Sequence, residues 1–265
     1  EQMPKEELHL IGTPQDQDDL FAKLENKPGY DCARYDAIVD EEKGIALWEN
    51  NPMWCYKALQ ERRLRIGDKA FNKEMRCMPV RGEEGYVSLS QLTALISPRL
   101  KNYEITRPPK LKERTVVAGF DIGKKSHPSH LCVLAESRSH LLQIHSKFMD
   151  GWPYIEQIEY LKQAIEVFKI DKLLYDNTRS EFETSFEQGD LPPQMEGVAF
   201  TVKTKFAMAA ELDKIITNKK IRLLDDPRQK RQILTVDCDL QAPETSDGHG
   251  DAFFSLCLAI KAWAD

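Results

Sequence analysis

The chain has 265 residues, a formal net charge of −6, 41% hydrophobic residues and 30% charged residues, which is the balance of a folded globular protein. This composition excludes collagen-like, disordered and multi-span membrane proteins, and no apolar run approaches the roughly 18 residues of a membrane helix. The first seven residues carry no apolar signal core, so we expect an intracellular protein. The six cysteines form no CxxC pair, which gives a zinc site no support and predicts reduced thiols.

Residues 1–114 contain several helix breakers and few long periodic runs. Asn51-Pro52 has the residue types of a helix start and predicts a first helix there. Asp68 predicts the cap of a second short helix. Because Pro108-Pro109 cannot continue a helix, we predict a linker over residues 97–114.

Residues 115–265 alternate strand and helix patterns, which indicates an α/β fold. The predicted strands cover 115–122, 131–135, 141–148, 172–175, 198–202 and 221–224, and the predicted helices cover 153–168, 206–217 and 251–263. The short connection at 136–139 fits a β-hairpin. We therefore predict two parts with a boundary between residues 114 and 115.

Three aspartates stand at the ends of buried elements: Asp121 after the first strand, Asp176 after the fourth, and Asp251 at the start of the final helix. The carboxyl ends of neighbouring strands form one crevice in an α/β sheet, where converging acids repel one another unless cations lie between them. Oxygen ligands suit magnesium or manganese. Each aspartate alone is more typical of a cap or turn, as in Asp225-Asp226-Pro227, but the joint pattern favours a metal site.

This order of acids resembles the nuclease domain of the large terminase subunit of tailed bacteriophages, whose ribonuclease H-like fold also occurs in Holliday-junction resolvases and retroviral integrases. The segments that carry the resemblance are 118–123, 174–176, 200–212, 224–227 and 248–252. Upstream, residues 9–14 resemble a late ATPase motif, and residues 47–74 resemble the helical stretch that joins motor to nuclease. The resemblance implies a ribonuclease H-like mixed sheet flanked by helices at 115–265, and the end of an ATPase domain with a helical linker region at 1–114.

The function implied by the resemblance is an endonuclease that cleaves double-stranded viral DNA concatemers at the start and end of genome packaging. The implied chemistry is phosphodiester hydrolysis by two divalent ions, Mg²⁺ or Mn²⁺, held about 3.5–4 Å apart. Asp121 would bridge both ions, Asp176 would bind one and Asp251 the other. Many relatives carry paired acids before the final helix; here Gly250 replaces the first, which leaves Asp251 as the ligand and Asp247 as an additional one.

The candidate DNA contacts are basic residues in the second part of the chain: Lys203, Lys205, Arg228, Lys230 and Arg231. Clusters of this kind are more often solvated faces than binding sites. The loop at 235–248 is predicted as a hairpin near the site, and the histidines at 127, 130 and 249 are expected to do little chemistry. The resemblance implies double-stranded DNA, the small terminase subunit and the portal protein as partners, with no membrane, in the host cytoplasm at the procapsid vertex.

No GxxxxGK[ST] phosphate loop occurs in the chain, so we do not expect it to bind ATP alone. We expect a fragment, or a separately made piece, that begins near the end of an ATPase domain. Three alternatives stay open. Residues 121–126 also resemble the first phosphate loop of the actin and sugar-kinase fold, the same acids would serve a resolvase- or transposase-type nuclease, and a non-catalytic DNA-binding or portal-docking module would use the acids as caps.

Overall fold

The structure is a computed structural model that describes residues 9–13, 20–25, 27–78, 85–110, 114–123, 128–178, 180, 182, 191–245 and 247–265. The chain divides into two compact units, Glu1–Arg81 and Gly82–Asp265. Each unit has its own hydrophobic core, and the three aspartates at 121, 176 and 251 belong to the second.

The first unit is a small α+β arrangement. Its described elements are α1 (Leu20–Glu25), β1 (Ile38–Asp40), β2 (Ile45–Ala46), α2 (Tyr56–Ile66) and α3 (Asp68–Arg76), with β1 and β2 antiparallel. Leu59 of α2 and Phe71 of α3 are fully buried against the β1–β2 hairpin. Arg76 at the end of α3 pairs with Asp36 at 3.2 Å, which ties the helix to the segment before β1.

The second unit is built around a six-stranded mixed sheet in the order β7-β6-β3-β4-β5-β8. Its elements are α4 (Leu89–Leu95), β3 (Val116–Asp121), β4 (Ser129–Glu136), β5 (Leu141–Met149), α5 (Tyr154–Phe168), β6 (Lys172–Asp176), β7 (Met195–Val198), α6 (Val202–Thr217), β8 (Ile221–Arg222), α7 (Pro227–Leu234) and α8 (Asp251–Ala264). β3 is antiparallel to β4 and parallel to β6, so β3 and β6 end at the same edge of the sheet.

Helices cover both faces of this sheet, and successive residues of β3 belong to opposite cores. Val117 packs in the core with α4, α6 and α8, whereas Ala118 and Phe120 pack in the core with α5. Because both faces are covered, every residue of β3 is buried, which explains its continuous apolar run in the sequence. The α/β fold class and the flanking helices are confirmed.

The final helix, α8, is buried almost all round and lies across β3, β4 and β6. Gly119 makes this close packing possible: a Cβ atom there would fall within 3 Å of Ser255 O, Ala259 N and Leu258 Cβ. The close approach of α8 to β3 brings the start of the helix to the edge where β3 and β6 end.

The division of the chain lies at 81/82 and not at the predicted 114/115. Residues 85–110 belong to the second unit because α4 buries Leu92 and Leu95 in its core. Backbone hydrogen bonds also tie this segment to the sheet, from Ser97 N to Leu223 O at 3.0 Å and from Tyr103 N to Ile144 O at 3.0 Å. That residues 1–114 are the end of an ATPase domain and a linker stays a prediction. The last residue of its first motif, residue 14, lies outside the described residues.

Several element boundaries differ from prediction for local reasons. The strand predicted at 198–202 corresponds to β7, which ends at Val198, four residues before the predicted end. It ends early because Thr201 forms a capping box with Thr204, so that α6 begins at Val202. Asn51 opens a turn, with its Oδ1 accepting from Met53 N at 2.9 Å, so α2 begins only at Tyr56. Asp68 is the first residue of α3, and Gly67 is its cap.

The loop at 235–248 is not a hairpin in its described residues. It contains isolated bridges only, between Gly85 and Asp237 and between Thr245 and Gly248. The helix α4, which the sequence analysis did not predict, begins with a capping box formed by Ser88 and Gln91. Among the helices in the described part of the chain, none has the length and apolarity needed to cross a membrane.

Candidate metal centre

Asp121 is the last residue of β3 and is buried, with 7% of its surface exposed. A carboxylate in such a position costs several kcal/mol unless its charge is offset. The backbone turns away just after it, and Gly123 N donates to Ser129 Oγ at 2.9 Å, which fixes the turn against the start of β4. Asp121 is therefore held at the edge of the sheet by two neighbouring strands.

Asp176 ends β6, the parallel neighbour of β3. Its Oδ1 accepts hydrogen bonds from Thr178 N, at 2.9 Å, and from Thr178 Oγ1. Thr178 Oγ1 also accepts from Phe200 N at 2.8 Å, which links this turn to the segment before α6. Thr178 thus orients the Asp176 carboxylate, a role that the sequence analysis missed because a threonine two residues after a strand has no distinctive signal.

Asp251 is the first residue of α8 and is 5% exposed. Its Oδ2 accepts from His249 N at 3.0 Å and from Gln232 Nε2 at 3.2 Å. Negative charge at a helix N-terminus is stabilised by the helix dipole. Gly250, in the left-handed region with φ of 77°, precedes the helix and lets the chain turn sharply into it.

The three aspartates line one cleft of about 240 Å³. Phe200 and Phe254 form part of its wall, and the segment Leu240–Ala242 closes another side. Lys205 also lines the cleft, with its Nζ 4.6 Å from the centroid of the Phe254 ring. The structure therefore brings together the three acids that the sequence analysis selected, with a cation beside them.

The donor set fits a hard divalent cation, because carboxylate oxygens are the ligands that Mg²⁺ and Mn²⁺ prefer. Oδ1 of Asp176 and Oδ2 of Asp251 are held by hydrogen bonds, as carboxylate ligands commonly are. Within the described ranges, no three His, Cys, Asp or Glu side chains are gathered closely enough to form a complete metal site. The cleft therefore has suitable donors on three elements, without a closed coordination shell.

Asp247, the predicted additional ligand, does not line the cleft. Its carboxylate binds Arg231, with Arg231 Nε donating to Oδ2 at 2.5 Å, and this hydrogen bond lowers the pKa of Asp247 below its usual value. The structure thus gives Asp247 a partner on α7 in place of a metal.

Four of the five predicted DNA contacts do not line the cleft. Arg228, Lys230 and Arg231 pair with Asp150, Asp225 and Asp247 at 2.5, 2.7 and 2.5 Å. Their charges are therefore partly offset by acids, of which Asp150 and Asp247 are distant in sequence and Asp225 is close. Lys203 is exposed on the first turn of α6, and Lys205 alone of the five lines the cleft.

The histidines differ in position. His249 lines the cleft. His130 is fully buried and does not line the cleft, and burial lowers the pKa of His130 to about 3, so its ring is neutral near pH 7. His127 and residues 124–126 of the alternative phosphate loop lie outside the described residues.

No family model matches the chain, and no curated protein matches it. Several solved structures, however, match its fold. The large terminase nuclease of thermophilic phage G20c is 16% identical, with a TM-score of 0.53 over 67% of this chain and 98% of that chain. The same nuclease with bound magnesium is 18% identical, with a TM-score of 0.52 over 67% of this chain and 97% of that chain.

The large terminase of bacteriophage HK97 is 12% identical, with a TM-score of 0.53 over 87% of this chain, and this chain covers 57% of it. At such identities the likeness establishes the fold. The chain therefore has the ribonuclease H-like fold of phage large terminase nuclease domains, as the order of its acids predicted.

Proposed function

We propose that this chain is the nuclease part of a large terminase, a metal-dependent endonuclease that cleaves double-stranded viral DNA concatemers at the start and end of genome packaging. The observation that supports the proposal is that Asp121, Asp176 and Asp251, from three separate elements, line the same cleft. Structural neighbours with bound magnesium, cobalt and zinc support a divalent ion in this fold.

Asp121, Asp176 and Asp251 would hold two divalent cations, Mg²⁺ or Mn²⁺. Such ions supply an activated water and stabilise the charge that develops on the leaving oxygen of a phosphodiester. The protein's own contribution is to orient the carboxylates. Thr178 orients Asp176, and the start of α8 favours the charged form of Asp251.

Lys205 would bind a DNA phosphate next to the scissile bond. Its Nζ lies over the Phe254 ring, at 4.6 Å from the centroid, and within 5.7 Å of the Phe200 centroid. Two aromatic faces restrict the side chain at a modest energetic gain, so the ammonium is positioned at the cleft. A cation there also offsets the repulsion between the phosphate and the aspartates.

The remaining partners follow from the same proposal: double-stranded DNA, the small terminase subunit and the portal protein, at the procapsid vertex in the host cytoplasm. Residues 1–114 would then be the end of an ATPase domain with a helical linker region. The assignment of residues 1–114 does not depend on the cleft, and plasmid nicking by the cleft does not depend on that assignment.

Nicking of supercoiled plasmid with Mg²⁺, with Mn²⁺ and with chelator tests the proposal. We expect activity with either ion, none with chelator, and a loss of at least about 100-fold in Asp121→Asn, Asp176→Asn and Asp251→Asn, since each removes a metal ligand. Asp225→Asn is the matched control, because Asp225 is exposed and outside the cleft. Wild-type activity in the three cleft variants would refute the site assignment.

A further inference from the structure

Helix α7 does not line the cleft, yet one face of it holds the turn that leads to Asp251. Arg228 donates from Nε and Nη2 to Asp247 O, at 3.1 and 3.0 Å. Arg231, three residues later, binds the Asp247 carboxylate, and Gln232 Nε2 donates to Asp247 O. Residues at i, i+3 and i+4 of a helix share one face, so these three side chains act on the same turn.

Unlike the two arginines, Gln232 also donates a hydrogen bond to the carboxylate of Asp251. Its Nε2 lies 3.2 Å from Asp251 Oδ2, and its Oε1 accepts from Ala252 N at 2.7 Å. The side chain is 2% exposed, so each of its polar atoms needs a partner inside the protein. Because Oε1 must face the N–H group of Ala252, the NH₂ group must face Asp251, and the orientation of the amide is set by the start of α8.

Gly248 provides the space for this contact. Its φ is 132°, a backbone conformation that residues with a side chain rarely adopt. A Cβ atom at this position would also collide with Asp251 Oδ2 and Gln232 Nε2. The turn before α8 is therefore shaped around the amide–carboxylate pair.

Helix α7 is itself fixed to β5 by buried polar contacts. Gln229 and Gln143 exchange two hydrogen bonds, at 2.7 and 2.9 Å, and Ser146 Oγ donates to Gln229 Oε1 at 3.0 Å. Asp226 caps the helix by accepting from Gln229 N at 2.7 Å. Gln232 is thus presented to Asp251 from an anchored element.

We propose that Gln232 is a positioning residue that holds the Asp251 carboxylate in the orientation needed to bind a divalent cation. The inference rests on the proposed function, since it assumes that Asp251 is a ligand. A neutral donor suits this role: it restrains Oδ2 without a positive charge that would compete with the cation. The same contacts make Arg228 and Arg231 supports of the 247–251 turn, in place of the DNA contacts that the sequence predicted.

The test is a titration of the full chain with Mn²⁺ in the absence of DNA, followed by electron paramagnetic resonance of free and bound ion. Gln232→Met removes the donor at nearly constant volume, and we expect the affinity for Mn²⁺ to fall by about 10-fold or more. Gln232→Asn keeps a buried amide but is too short to reach Asp251, so it should show the same loss and serves if the Met variant does not fold.

Gln157→Met is the matched control, because Gln157 is nearly as buried as Gln232 but lies on α5, where its Nε2 donates to Trp152 O, away from the cleft. We expect it to lower the melting temperature while leaving Mn²⁺ affinity within about threefold of wild type. Wild-type affinity in both Gln232 variants would overturn the positioning role and leave the proposed function standing. A wild-type chain that binds no Mn²⁺ would overturn both.

Discussion

Asp121 and His130 lie opposite each other on β3 and β4, and both side chains are buried. His130 does not serve as a counter-charge to the aspartate. Its Nδ1 is 2.6 Å from Ser255 Oγ and its Nε2 is 2.9 Å from Ser146 Oγ, and desolvation holds its pKa at about 3. The ring is a neutral hydrogen-bonding link between β4, β5 and α8, and it is not a proton shuttle for the cleft.

The low pKa of His130 predicts acid sensitivity. The ordinary pKa of histidine is 6.5, and that of folded His130 is about 3. Between these two pH values, the unfolded chain binds a proton at His130 that the folded chain does not bind. The contribution of His130 to the free energy of unfolding should therefore be fully present above pH 6.5. On acidification it should fall by about 1.4 kcal/mol per pH unit for one proton. Urea unfolding between pH 7 and 5 measures the slope.

His130→Gln should flatten that dependence, although it lowers stability at pH 7. His145, whose pKa is also lowered by burial, is retained in both proteins, so the difference between them isolates His130. Equal slopes for wild type and variant would contradict a neutral, buried His130.

Gly119→Ala should destabilise the second unit, because the added methyl group would meet the backbone of α8 at Ser255 and Ala259. Overpacking of this kind costs about 1–3 kcal/mol, which corresponds to a fall in melting temperature of roughly 2–4 °C per kcal/mol in a chain of this size. Thermal unfolding followed by circular dichroism measures the change. An unchanged melting temperature would mean that α8 does not pack on β3 as closely as described.

The sequence predicted the sheet well and the loops poorly, for a physical reason. β3 and β4 are continuous apolar runs because both faces of the sheet are covered, and that pattern is visible in the residues alone. The pairs Arg228–Asp150 and Arg231–Asp247 join residues 78 and 16 positions apart, which no local pattern reveals. From the sequence alone, the basic cluster is therefore interpreted as a candidate DNA-binding surface.

The candidate site was predictable where it depends on topology. Asp121 and Asp176 end parallel neighbouring strands, so their meeting follows from the strand order. Thr178 and Gln232 were not predictable, because their roles depend on the orientation of single hydrogen bonds after folding.

Thr178→Val should slow plasmid nicking by about 10-fold or more while costing about 1 kcal/mol of stability or less. The variant keeps the shape of the side chain but loses the hydroxyl that binds Asp176 and accepts from Phe200 N. Thr93→Val, on the exposed face of α4, is the matched control and should leave nicking unchanged. Equal rates in the two variants would refute a role for Thr178 in orienting Asp176.

Lys205→Gln should weaken binding of a DNA duplex, measured by fluorescence anisotropy in chelator, and should reduce the slope of log affinity against log salt by about 1. A reduction of the slope by about 1 is the change expected when one phosphate contact is lost. Arg231→Gln should leave the slope unaltered, because Arg231 is paired with Asp247. If Arg231→Gln alone reduced the slope, the α7 cations would be DNA contacts after all.

The most direct measurement of the central claim is anomalous diffraction from crystals soaked in MnCl₂. We predict anomalous peaks bonded to carboxylate oxygens of Asp121, Asp176 and Asp251, and their disappearance in Asp121→Asn crystals soaked in the same way. Peaks only at other carboxylates, or a cleft without any peak at saturating Mn²⁺, would contradict a metal-dependent nuclease at this site.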